Sequence, residues 1–164
     1  MYQASAPRFA AMLRNLSALI DKAAAHCEAK KIDPAAITAF RLYPDMFPFT
    51  RQVQIACDTA KGAVARLAGV DIPKHDDTEQ SFAELKARIA KTVDFIESVK
   101  AEKIDGTEDK EIVLQMRSGE RRFKGMPYLL GFAYPNFYFH ITTAYNILRH
   151  NGVELGKLDF LGKT

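Results

Sequence analysis

Two residues near the end of the chain have a spacing that could do chemistry. In "YPNFYFHITTAYNILRHNG", Tyr134 to Gly152, Asn136 and His140 stand four apart, and i, i+4 neighbours share a face of a helix. The imidazole can exchange protons near neutral pH or ligate a metal. A matching pair lies upstream in "FTRQVQIACDTAKGAVARLAG", where Gln54 and Asp58 are again four apart with Cys57 between them. If those two segments pack side by side, an amide, a thiol and a carboxylate could meet an amide and an imidazole around a small ligand. Arg41 and Asp45 bracket a proline linker and could pair to close the mouth of such a pocket, or form a plain loop-stabilising ion pair.

Each candidate also has a structural reading. His140 is a core histidine bonded to a neighbour, a ligand-binding or catalytic imidazole, or a metal ligand. Asn136 follows Pro135, so it caps a restarted helix or lines a pocket. Cys57 reads as a small apolar filler more readily than as a nucleophile, because no adjacent histidine or helix start activates it. His26 and His75 read as surface residues. No Ser-His-Asp order, glycine-rich phosphate loop or paired-cysteine zinc pattern is present.

The elements that must position these side chains follow from periodicity. Phe9, Met12, Leu13, Leu16, Leu19, Ile20 and Ala23 recur at spacings of three and four, which predicts a first helix from Ser5 to Lys30. Asp33-Pro34 opens a short helical turn. "FRLYPDMFP" is an ordered linker rich in apolar side chains. A second long helix runs from Phe49 to its stop at Gly69. Ser81 and Glu84 match a capping box before a third helix that reaches Lys100.

"EIVLQMRSGERRFKG" then changes period, with Ile112, Leu114 and Met116 alternating with Val113, Gln115 and Arg117 and a turn at Ser118-Gly119, so a small β-hairpin is expected. The last helix spans Met126 to His150, and the internal Pro135 is expected to kink or restart it. At about 100° per residue, Ala133, Phe137, Ala144 and Leu148 define its buried face, with His140 about 50° and Asn136 about 90° from the centre. The tail residues Leu158, Phe160 and Leu161 are expected to fold back on the bundle.

The totals exclude several classes. At 164 residues the chain is read as one domain, residues 1–164. A formal net charge of +3 with scattered Lys and Arg is too weak a basic signal for nucleic acid. Charges interrupt every apolar run before membrane-span length, so no membrane is expected. Two cysteines without a Cys-x-x-Cys pair are read as reduced thiols of a cytoplasmic protein.

"FRLYPDMFPFTRQVQIACDTAKGAVARLAG" and "NFYFHITTAYNILRHNGVELGKLDFLG" resemble the DUF1993 family of the DinB-like metalloenzyme superfamily, and the similarity covers essentially the whole chain. The resemblance implies an all-α four-helix bundle running up, down, down, up, with the hairpin inserted before the last helix. The second and third helices are then parallel. Their connection from Gly69 to Thr78 extends to roughly 33 Å, enough for the about 30 Å of a 20-residue helix.

In metal-binding relatives a histidine of the second helix joins a His-x-x-x-His pair of the last. Here the pair reads Asn136-x-x-x-His140, only His140 matches, and no cofactor is expected beyond a weakly held divalent transition metal. The leading expectation is a bundle that binds an unknown small molecule through His140, Asn136, Gln54, Cys57, Asp58, Arg41 and Asp45. A metal- or thiol-dependent transferase and a dimeric scaffold without a small-molecule site are the alternatives. The aromatic excess of the last helix, with the dimers common among such bundles, leads us to expect a homodimer.

Overall fold

A computed structural model of the chain describes residues 1–116 and 119–162. Helix α1 spans Ala6–Lys30 and ends where Lys31 turns left-handed, with φ 56°. Asp33 then caps the short α2, Pro34–Thr38, its carboxylate accepting the Ala35 N–H at 2.9 Å. The proline linker is pinned at both ends, by Phe49 N–H to the Phe40 carbonyl at 2.9 Å and by the Thr50 hydroxyl to the Thr38 carbonyl at 3.1 Å. It delivers the chain to α3, Phe49–Ala68, which stops at Gly69 in the left-handed conformation.

The predicted capping box holds: the Ser81 hydroxyl accepts the Glu84 N–H at 3.2 Å while the Glu84 carboxylate accepts the Ser81 N–H at 2.9 Å. It starts α4, Phe82–Ser98, which ends before the expected Lys100. Strands β1, Glu111–Met116, and β2, Gly119–Lys124, pair antiparallel with Leu114 opposite Arg121. Ile112 and Leu114 turn inward as expected, whereas Met116 is exposed. The turn expected at Ser118 lies outside the described residues, as does Arg117.

Three more segments complete the chain: α5, Gly125–Tyr128; α6, Tyr134–His150; and α7, Lys157–Leu161. Between α5 and α6 the backbone widens into a π-type turn over Leu129–Ala133, and Pro135 sits in the first turn of α6. The expected break is therefore placed one step earlier and in another form. A proline lacking an N–H is tolerated at a helix start, and the wide turn before it takes up the mismatch. In α7 only Phe160 packs inward, against Tyr145 at 5.7 Å, while Leu158 and Leu161 stay exposed.

Residue pairings give the helix directions. The first residues of α3 and α4, Phe49 and Phe82, meet with ring centroids 6.1 Å apart, so those helices are parallel. Arg14 pairs with Glu97 and Asp21 with Lys86, which makes α1 antiparallel to α4. Gln52 meets His140 and Thr59 meets Asn136, which makes α6 antiparallel to α3. Phe9 packs edge-on against Phe137 at 4.8 Å, closing α1 against α6. The order is up, down, down, up, with α3 flanked by α4 on one side and α6 on the other. Leu13, Leu16, Val53, Ala60, Leu85, Ile96, Ala144 and Leu148 are fully buried between these helices, and each large apolar side chain so buried contributes about 1.5 to 3 kcal/mol.

Candidate functional site

Because α3 is sandwiched, its polar residues divide between two seams. Gln52 and Thr59, seven apart and therefore about 20° from one another, face α6. The Gln52 amide donates to the Phe47 carbonyl at 2.9 Å, which leaves its oxygen for His140 Nδ1 at 2.7 Å. His140 therefore carries its proton on Nδ1, and among the described residues Nε2 has no hydrogen-bond partner. One turn away, Asn136 Nδ2 donates to the Thr59 hydroxyl at 3.2 Å. Burial, then the nearby Arg51 charge, lowers the His140 pKa to about 4, so the ring is neutral at pH 7.

Gln54, Cys57, Asp58 and Lys61 face α4 instead. At the centre of that seam stands Arg88 of α4, only 3% exposed. Its Nη2 lies 2.8 Å from Asp58 and 2.9 Å from Asp77, and its Nη1 lies 3.1 Å from Glu79. Lys61 adds a second cation to Asp58 at 2.9 Å, Gln54 Nε2 donates to Glu79 at 2.9 Å, and Arg51 pairs with Asp77. Burial opposes the charge on Glu79, but the hydrogen bonds from Gln54, its own backbone and Arg88 outweigh it and hold the carboxyl below its usual range.

The seven candidates are thus not gathered at one point. The structure places His140 and Asn136 in the α3–α6 seam and Gln54 in the α3–α4 seam. Gln52 takes the partner role that the sequence suggested for Gln54, because two residues along a helix is a rotation of about 200°. Cys57 is completely buried, and burial pushes its thiol up to about 12 despite the Thr92 hydrogen bond, as suits the apolar-filler reading. Arg41 donates to the Met46 carbonyl at 2.6 Å rather than to Asp45, closing the loop through the backbone. His75 is half-buried, not a surface residue, and among the described residues neither ring nitrogen has a hydrogen-bond partner.

Asn136 and Asp58 do meet in one place. A cleft of about 240 Å³ opens where α3, β1 and the π-type turn converge, lined by Asp58, Thr59, Arg66, Leu114, Gln115, Met116, Tyr128, Phe132 and Asn136. Arg66 Nη1 donates to the buried Tyr128 hydroxyl at 3.3 Å, and Tyr128 stacks on Phe132 with centroids 6.0 Å apart. A larger cleft of about 360 Å³ is bordered by the ion-pair network, the Glu84 cap and Lys91, and among the described residues the His75 ring nitrogens and Arg88 Nε beside it are buried without a hydrogen-bond partner. That the hairpin walls the smaller cleft is not visible in local spacing. Gly62, four residues before Arg66 in the middle of α3, was the one local signal.

A transition metal does not fit the α3–α6 seam. The one imidazole is bonded to the Gln52 amide and the Asn136 amide to the Thr59 hydroxyl, and such oxygens are weak ligands for borderline metals. Among the described residues no group of three or more His, Cys, Asp or Glu side chains could hold a metal ion. Nor, among them, is any helix long and apolar enough to cross a membrane.

Comparison with known proteins agrees with this fold. The family model "Domain of unknown function (DUF1993)" matches residues 1–161. The chain is also similar to the crystal structure of a DinB family member protein from Shewanella denitrificans, with 45% identity and a TM-score of 0.94, over 99% of this chain and 92% of that one. No curated protein matches.

Proposed function

The chain belongs to the DUF1993 family of DinB-like bundles, and from that premise we propose that it binds a small organic molecule, without a metal, in the cleft between α3, α6 and β1. One observation carries the reading. Polar groups of Asp58, Thr59, Asn136 and Arg66 converge on a cleft whose other wall is Leu114, Tyr128 and Phe132, the mixture that fixes a ligand's orientation while burying its body. The cleft falls below the about 300 to 1,000 Å³ of drug-sized sites, which points to a small metabolite. His140 and Gln54 stand behind it, the first setting the α3–α6 spacing through Gln52 and the second bracing Glu79.

A thermal-shift screen of small metabolites tests this, because a ligand at about 100 times its Kd adds about 2.7 kcal/mol to stability. Met116, 39% exposed at the rim, offers a plug that leaves the core alone. Compounds that raise the melting temperature of the native chain are expected to lose that effect in Met116→Trp and Asn136→Ala. Hits that shift all three proteins equally would place the ligand elsewhere and end the reading.

The protein is read further as a cytoplasmic homodimer. Its two cysteines are free and buried, as suits a reducing compartment. Leu130, Tyr138 and Phe139 are exposed apolar side chains on and beside α6, of the kind a twofold pairing would cover. Light scattering on the order of tens of micromolar is expected to give twice the chain mass; a monomer there contradicts the dimer and leaves the cleft untouched.

A further inference from the structure

Arg66 occupies an unusual setting within the cleft. Its side chain folds back towards the N-terminus of α3, the direction favoured by helical rotamers, and reaches over Gly62. A Cβ built on Gly62 would lie 2.5 Å from Arg66 Nη1. Glycine in the middle of a helix costs stability relative to alanine, and here the space it leaves is filled by the guanidinium. The Tyr128 hydroxyl fixes the other side of that seat.

The ordinary role of an arginine in a last helical turn is to offset the negative end of the helix dipole. That end of α3 is served by another residue, since Lys110 Nζ donates to the Leu67 carbonyl at 2.9 Å. Arg66 points the opposite way. Among the described residues it has no carboxylate within ion-pair distance; Asp58, two turns before it, is already held by Arg88 and Lys61. A second cation, Arg121, lies over Phe123 and Phe132 with its Cζ 5.3 and 5.9 Å from their ring centroids, and it too has no ion-pair partner among the described residues.

We infer that the cleft takes an organic oxyanion, a carboxylate or phosphate on a compact apolar body, with Arg66 as its anion-binding residue and Gly62 and Tyr128 as the residues that position it. The inference rests on the ligand-binding reading above and names the ligand's chemical class. Planar guanidinium and oxyanion match in a two-bond fork. Arg121 reinforces the field from the hairpin side, and the apolar body lies against Phe132 and Leu114. Asn136 is placed to bond a neutral polar group of the same ligand.

Calorimetric titration of the full chain with benzoate, phenyl phosphate and uncharged benzamide tests the assignment. At least one anion is expected to bind about tenfold or more tightly than benzamide, and whichever of the two binds better identifies a carboxylate or a phosphate source. Arg66→Met and Gly62→Ala are each expected to weaken that anion about tenfold or more, with Arg66→Lys retaining part of the affinity. Gly62→Ala is the informative variant, because it keeps the charge and displaces only the guanidinium, and its melting temperature is expected to be no lower than the native one. Equal binding of benzamide, or anion binding unchanged in Arg66→Met and Gly62→Ala, overturns the anion assignment while leaving a ligand cleft standing. If none of the three compounds binds, the assignment also falls, and the Met116→Trp comparison then decides whether the cleft reading falls with it.

Discussion

Replacing Arg88 with alanine is expected to lower the free energy of unfolding by about 3 to 5 kcal/mol, the range for breaking one side of a buried ion pair. The size follows from what is left behind. Arg88 is 3% exposed and bridges Asp58, Asp77 and Glu79. Asp58 keeps Lys61 and Asp77 keeps Arg51 in the variant, so the loss concentrates on Glu79, whose side chain is only 12% exposed.

Chemical denaturation at pH 7 reads that loss, and Arg88→Met with Glu79→Gln gives the control. The double variant removes both charges and keeps the volume, so it is expected to regain part of the loss. An Arg88→Ala cost below about 1 kcal/mol, the level of an exposed pair, would show that the network is solvated and that it does not hold the connection between α3 and α4 against those helices.

The same network shows why the fold was legible in the sequence and the site only partly so. Helix faces are written in local spacing: Phe9, Leu13, Leu16 and Ile20 bury as their three-and-four rhythm predicts, and Ser81 with Glu84 marks a helix start whatever surrounds it. Which neighbour each flank meets is not local. Gln52 and Gln54 are both buried amides, yet one faces α6 and the other α4, and only the parallel packing of α3 with α4 decides between them. His75 was misplaced for the same reason, since the α3–α4 connection that carries it lies against Arg88. Arg66 has no charged residue at helical spacing after it to suggest a role. Its role emerges only when β1 and the π-type turn close the space opposite.

The second large effect concerns acid. Between pH 7 and pH 4 the native chain is expected to lose about 3 kcal/mol of stability through His140 alone. An unfolded histidine takes up its proton near pH 6.5, whereas burial, aided by the Arg51 charge, lowers the folded pKa to about 4. The unfolded chain therefore binds more protons throughout that interval. Stability is complete above about 6.5, falls as the pH drops towards 4, and levels off for this residue below it.

His140→Gln supplies the comparison, because an amide can still donate to Gln52 but does not titrate. Carboxylates and the other histidines contribute equally to both proteins, so the difference between the two pH profiles isolates the His140 imidazole. Parallel profiles would mean that the ring stays solvated and protonates normally. The expected divergence bears on Asn136-x-x-x-His140 itself. The Nδ1 bond of His140 to Gln52 at 2.7 Å ties α6 to α3 one turn from Asn136 at the edge of the cleft, and a neutral ring at pH 7 is the state in which that tie holds.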